Sequence, residues 1–473
     1  MNKGLWKKVE EYQLDKWTDE YGFILRIAKE NKWTKNFTTQ AILEYKKFMY
    51  LAATSDKMVS PSDIVDIVWH EHLVFTKSYR KFCLILGKTI EHIPSTHNRE
   101  EYDMFKQAKE HTTLIYNQVF GEQPKEIWEY QSMYDSLHLP KTKYKMSTKL
   151  LIGIFVSLAA IPLLHYPLTL IYSNISSSAF LFGLTVIFIG VIAFLNEYNK
   201  SVLHDIIRNS SENSFIHNLH PYEMMYLKNK NVKDGIIGTF NELIEQHNIK
   251  TGPNYTLELI QDTYIKNREQ AYILRKLKQF KTRKFTELIP KLIGRPLFTN
   301  QVTTIQGINK YINRSAKFNK LFITNYAILL SIVFFAFMRI IIGSERHKPV
   351  LFITILTLVI VISSLFFLQR LASEGIHKAI TKYYTKRVKF SKLKEDNWQW
   401  SYFLTGNAAL GASLTTMVIL ANAPIPHISS NSNNSSNSCS SDGSSSNSSC
   451  GSSNSSSCGS SCGGGGCGGC GGD

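Results

Sequence analysis

The residues best equipped for chemistry lie in one stretch, SPSDIVDIVWHEHLVFTKSYRKFCLILGKTIEHIPSTH, which begins at Ser60. His70, His72 and His92, with Cys83 between them, offer the imidazole and thiolate donors that zinc takes. Spacing argues against the simplest site. On one continuous helix His70 and His72 stand about 200° apart and project from opposite faces. His72 and Cys83 share a face but are roughly 16 Å apart along the axis. From the end of that helix at Gly87, His92 reaches back at most about 17 Å, whereas His70 lies about 25 Å up the axis. A metal shared among His70, His72 and His92 therefore requires a break in the helix. With no break the residues have a structural reading. Asp66, one turn before His70, holds its imidazole; Trp69, His72 and Tyr79 form a packing stripe; Cys83 between Phe82 and Leu84 is a small buried hydrophobe.

Other chemistry is excluded more simply. Outside its low-complexity tail the chain contains no Gly-x-Ser-x-Gly elbow, no phosphate-binding glycine loop and no His-Glu-x-x-His motif.

The element that must position these histidines is a helix. Ser60-Pro61-Ser62 starts it, since serine caps and proline tolerates the first turn, and Gly87 ends it. Apolar residues at three- and four-residue spacing, as in AILEYKKFMYLAA, predict an all-α domain over residues 1–140. Within it Pro61, Asp66, Trp69, His70, His72, Thr76, Tyr79, Cys83, Gly87 and His92 form a pattern that continues in FGEQPKEIW with Phe120, Gly121 and Trp128. On these residues, Thr38 to Trp128 resembles the N-terminal module of the glycine-rich domain-containing proteins. The resemblance implies architecture and brings no activity with it.

Four stretches are long and apolar enough to cross about 30 Å of hydrocarbon. Leu150–Tyr172 and Ala179–Leu195 predict one hairpin, and Leu321–Ile342 and Val350–Leu368 a second. Arg339 is the intruding charge, close enough to an end to snorkel. His165, between Pro162 and Pro167, belongs near the outer interface or marks a polar site within the span. Lys and Arg outnumber Asp and Glu by 54 to 37, a formal charge of +17. That excess collects before the first hairpin, between the hairpins and after Leu368, so the N-terminus and the middle region should face the cytosol, and the loops YSNISSS and GSERHKP the outside. Phe403–Pro426 is a possible fifth span, or a re-entrant or buried helix.

Between the hairpins, residues 196–320 predict a short helix at Pro221–Lys228, a longer one at Val232–His247, and a turn at Gly252-Pro253-Asn254 between β-prone flanks, a small winged-helix-like domain. The run RKLKQFKTRK, Arg275 to Lys284, suits membrane-surface phosphates first, a partner protein second and nucleic acid least. LHPYEMMYLKNKNVKDGIIGTFNELIEQHNIK resembles a segment of a bacterial membrane-protein family that also carries a near-uncomplex Gly/Cys-rich tail. The end of this chain, CGSSCGGGGCGGCGGD, agrees with that, although it is richer in Ser and Asn upstream.

From Ser429 onward the composition is almost entirely Ser, Asn, Gly and Cys, which predicts a disordered tail over 427–473. Cys439, Cys450, Cys458, Cys462, Cys467 and Cys470 would oxidise or cross-link if exported, and bind soft metals or react as thiols if cytosolic.

The expectation is thus a mostly α, multi-pass protein of a bacterial cytoplasmic membrane, with an all-α cytosolic domain, a basic cytosolic segment at 369–402 and a flexible tail. Its function reads as a non-enzymatic membrane scaffold or sensor with protein-binding cytosolic modules and no cofactor. The alternative is a membrane-bound metal-dependent enzyme or factor using the His70/His72 module, with His70, His72 and His92 the candidate ligands and zinc the candidate metal.

Overall fold

The structure is a computed structural model that describes residues 2–15, 19–93, 99–260, 267–279, 283–390 and 397–422. It is mostly helical, with one two-stranded sheet. The expected tail at 427–473 lies outside the described residues, as does the end of the stretch 403–426.

The N-terminal helices are α1 (Lys3–Glu11), α2 (Phe23–Asn31), α3 (Lys35–Thr54), α4 (Asp63–Val74), α5 (Thr76–Leu86), α6 (Arg99–Phe120) and α7 (Lys125–Trp128). Local chemistry sets their ends. Thr34 Oγ1 accepts the Phe37 N–H at the start of α3, and Ser62 Oγ accepts the Val65 N–H at the start of α4. Gly87 takes a left-handed conformation, φ 73°, after α5. One expectation is corrected here: the helix from Ser62 to Gly87 is not continuous. At Phe75 the backbone turns to φ −86° and ψ 58°, outside the helical region, and α4 and α5 meet there at an angle.

One buried acid sits within the apolar core of this region. The Glu44 carboxylate, 3% exposed, accepts hydrogen bonds from Tyr116 Oη at 2.7 Å, Trp128 Nε1 at 2.8 Å and Lys47 Nζ at 2.8 Å. It ties α3 to α6 and α7, which gives Trp128 a physical role.

Among the described residues four helices are long and apolar enough to cross a membrane: α8 (Met146–Ser173), α9 (Ser177–Arg208), α15 (Ala316–Glu345) and α16 (Leu351–Phe390). They contain the four predicted stretches and run past them. An antiparallel bridge between Lys141 and Ser315 sets α8 and α15 off side by side. Asn199 and Asn325 exchange amide hydrogen bonds at 2.9 and 2.7 Å, joining α9 to α15. Arg339 donates to the carbonyls of Tyr172 and Ile175, so it closes the end of α8 instead of reaching for water. His165 pairs with Glu345 at 2.9 Å, beside the loop that joins α15 to α16.

Between the hairpins lie α10 (Pro221–Asn229), α11 (Lys233–Glu245), β1 (Ile249–Gly252), β2 (Thr256–Leu259), α12 (Arg268–Gln279), α13 (Phe285–Ile293) and α14 (Pro296–Asn313). The order helix, helix, hairpin is as read from the sequence, with Ile249 opposite Leu259. This region does not, however, have a core of its own. Buried residues from Val9 to Val418 form one continuous apolar cluster that includes Phe48, Phe240, Phe285 and Tyr384. Polar contacts cross the same seam: Thr304 Oγ1 donates to the Trp33 carbonyl at 2.9 Å, and Arg268 pairs with Asp15 at 3.1 Å.

The possible fifth span is also corrected. Its described part belongs to two short helices, α17 (Trp398–Thr405) and α18 (Ala412–Asn422), separated by a 3₁₀ turn that starts at Gly406 with φ 63°. A left-handed residue ends α17. Neither piece is long enough to cross a bilayer alone. Both are used in the core: Trp400 stacks on Tyr384, Lys228 Nζ donates to the Phe403 carbonyl, and Leu414 and Val418 are buried. The segment 369–402 is likewise mostly the continuation of α16, whose Ile376, Ile380 and Val388 are buried. In the basic run, Arg275 lies over the Tyr272 ring and Lys276 pairs with Glu20 at 3.5 Å, so part of its charge is spent internally.

Replacing Glu44 by Ala leaves the Trp128 and Tyr116 donors buried without an acceptor and Lys47 without its partner. The expected cost is about 3 kcal/mol, read as a lowered midpoint for denaturant unfolding of the detergent-solubilised chain; an unchanged midpoint would remove Glu44 from the core of this account.

Candidate metal centre

The break at Phe75 changes what His92 can reach. After α4 the chain turns into α5, reverses at Gly87, and runs back along α4 through residues 88–92. Two contacts hold the returning segment. Tyr79 Oη donates to the Ile90 carbonyl, while Trp69 Nε1 donates to Tyr79 Oη at 3.1 Å. The Trp69 ring meets the His92 ring edge to face at 4.6 Å.

His92 is thereby brought to Asp66 and His70. The Asp66 carboxylate lies between two imidazoles, with Oδ1 3.0 Å from His92 Nε2 and Oδ2 3.3 Å from His70 Nε2. The His70 and His92 rings are 4.3 Å apart and nearly perpendicular. One donor atom from each of Asp66, His70 and His92 falls within 4.8 Å of the other two. The sequence argument against a shared site assumed one straight helix to Gly87, and the kink removes that premise. Asp66, assigned there only to steady His70, is the third member.

Two imidazole nitrogens and a carboxylate oxygen form a donor set suited to zinc and to other divalent first-row metals. The set leaves at least one coordination position for water or another ligand. The surroundings allow that: His70 is 58% exposed at its side chain, and a cleft of about 540 Å³ is lined by Asp66 and His92 together with Asp63 and Glu91.

His72 is not part of this set, which corrects its candidacy as a ligand. It is fully buried on the opposite side of α4 and saturated by protein. Ser78 Oγ donates to the Leu14 carbonyl at 3.0 Å, so it accepts from His72 Nε2–H at 3.1 Å, and His72 Nδ1 in turn accepts from Tyr45 Oη at 2.8 Å. Burial without a charged partner pushes the His72 imidazole down to about 3, which keeps it neutral. Tyr45 and Ser78 were invisible as its partners in the sequence. Tyr45 sits in a run that reads only as an apolar helix face, and Ser78 meets His72 only because of the kink. Cys83 is buried with a free thiol, as expected of a small hydrophobe.

Fold and site together describe a helical body that carries an open Asp-His-His cluster and four helices apolar enough for a bilayer. Residues 10–113 match the family described as UCP032817-like, a span that includes the whole cluster from Asp66 to His92. No curated protein and no solved structure matches the chain.

The buried neutral His72 makes stability depend on pH. Below its ordinary value of 6.5 the unfolded chain takes up a proton at this residue, whereas the folded chain does so only near 3. Stability contributed by the neutral ring is present above 6.5 and is lost as pH falls from there towards 3. His220, also held down to about 3 by burial, acts in the same direction. Unfolding midpoints measured across this window should fall with pH, and His72→Asn should reduce the slope; an identical slope would contradict the assignment.

Proposed function

We propose that the chain is a multi-pass protein of a bacterial cytoplasmic membrane, with the N-terminal and middle regions in the cytosol, and that it acts there as a non-enzymatic metal-responsive sensor or scaffold. The observation that carries this reading is the meeting of Asp66, His70 and His92 at the surface of α4. In the absence of metal the carboxylate is positioned to accept a hydrogen bond from each imidazole; a divalent ion, zinc foremost, would take the same three atoms. Exchange between these two states would act on the end of the segment 88–92, where His92 meets Asp66 and Trp69, beyond the buried Ile90 and the Lys88 bond to the Ala52 carbonyl. Metal occupancy thus has a direct structural output: tightening or release of that segment, and with it of the surface a protein partner would read. The resemblance of Thr38–Trp128 to the glycine-rich domain-containing proteins is consistent with a binding module of this kind.

The open cleft beside Asp66 and His92 favours a second reading, a metal-dependent enzyme in which substrate reaches the free position. Sensing is the reading we adopt because it needs only the three ligand atoms that converge here and the chain segment that carries His92.

The detergent-solubilised chain, its tail cysteines first alkylated, then dialysed against zinc and metal-free buffer, should retain about one equivalent by elemental analysis. His70→Ala and His92→Gln should release it, while His72→Asn should not. Zinc retained by both ligand variants, or by neither them nor the unaltered chain, would refute the site. Turnover of a hydrolysable ester panel that needs zinc and His92 would replace sensing by catalysis.

A further inference from the structure

A second cavity, of about 380 Å³, lies where the N-terminal helices meet the middle region, between α2, α3, α10 and α14. Its volume falls in the range of small-molecule sites. One wall is apolar, formed by Leu25, Ala28, Leu297 and Phe298, and the other is polar and charged.

Most of the polar groups on that second wall are already committed. The Glu223 carboxylate accepts the backbone N–H groups of Lys35 and His220, each at 2.8 Å. Tyr222 Oη donates to Glu242 at 2.8 Å, and Arg268 is bound through its terminal nitrogens to Asp15 and to the Asp19 carbonyl, its Nε being buried without a partner among the described residues. What remains is a compact set. Lys35 Nζ and Glu269 Oε1 form an ion pair at 2.6 Å, with the lysine side chain 40% exposed. His220 Nδ1 accepts the Tyr222 N–H at 3.3 Å, so the proton of the neutral ring is on Nε2. Asn300 Oδ1 is buried and has no hydrogen-bond partner among the described residues. With almost no accessible surface, that oxygen does not open onto the cavity.

We propose that this cavity binds a free α-amino acid with an apolar side chain. The Lys35–Glu269 pair is a fixed dipole with its two charges at hydrogen-bond separation, and an α-amino acid carries its ammonium and carboxylate at a matching separation. Laid antiparallel, the carboxylate meets Lys35 Nζ and His220 Nε2–H, and the ammonium meets Glu269. The four charges then neutralise one another in pairs. A ligand with one charge would leave the other half of the ion pair facing its own sign or nothing, a penalty that selects for the zwitterion. The side chain lies against Leu25, Ala28, Leu297 and Phe298, and the volume admits leucine or phenylalanine. The site joins helices from both regions of the body, so occupancy would clamp one to the other. This inference is independent of the metal centre: it shares no residue with Asp66, His70 and His92.

The test is equilibrium dialysis of the full chain in detergent micelles with radiolabelled leucine, competed by leucine, phenylalanine, leucinamide and N-acetylleucine. Binding near one equivalent is expected, displaced by the two zwitterions and at least tenfold less well by leucinamide, which lacks the carboxylate, and by N-acetylleucine, which lacks the ammonium. Glu269→Gln should weaken leucine binding by a similar factor. Should that variant fail to fold, the analogue series on the unaltered chain still decides. Absence of leucine binding at millimolar concentration, or equal competition by either singly charged analogue, overturns the proposal.

Discussion

The constraint on which the rest depends is the apolar surface of α8, α9, α15 and α16. Side chains such as Phe155, Leu163 and Phe182 are 68%, 77% and 74% exposed, and the most apolar window of α8 has no buried residue at all. At about 25 cal/mol per Å² of apolar surface in water, a single large side chain left so open forfeits on the order of 1 to 2 kcal/mol, and dozens are open here. No internal packing compensates. A surrounding hydrocarbon phase removes the penalty, and the backbone of a helix can enter that phase because its polar groups are satisfied internally.

The same helices carry the constraint into the body. The first part of α9 and of α16 is apolar and open, while the far part of each is buried in the main core through Leu203, Ile206 and Ile207 on one and Ile376, Ile380 and Tyr384 on the other. Tyr384 accepts the Leu219 N–H and donates to the Ile216 carbonyl, fixing the start of the middle region to α16. Because each helix is one rigid rod, the body cannot shift relative to the apolar segments without breaking these contacts. The returning segment after Gly87 is fastened to this frame by Ile90, by the Tyr79 bond to its carbonyl and by His92 against Asp66 and Trp69.

How much of this was legible in the sequence differs by feature, for physical reasons. The four apolar stretches were, because length and hydropathy are local properties and the bilayer demands little else. Asp66 beside His70 was legible too, since four residues on a helix make a neighbour. The kink at Phe75 was not: TKSYRK after VWHEHLVF contains neither Gly nor Pro, and the break is imposed by packing of α4 and α5 on different neighbours. With the kink missed, the meeting of His92 with Asp66 and the Ser78 partner of His72 were both out of reach. For the stretch after Phe403 the composition left a span, a re-entrant segment and a buried helix open, because Gly406, which divides it, is in sequence just one more small residue. The merging of two expected domains into one core was hidden because pairs such as Lys35 with Glu269 or Asp15 with Arg268 are hundreds of residues apart.

The most direct test of the central claim is fractionation of cells producing the full chain. After lysis without detergent and a wash in alkaline carbonate, which strips peripheral proteins, the chain should stay wholly with the membrane pellet and be released only by detergent. Recovery of folded chain in the carbonate or detergent-free supernatant would contradict the account, because the exposed faces of the four helices would then need some cover other than lipid.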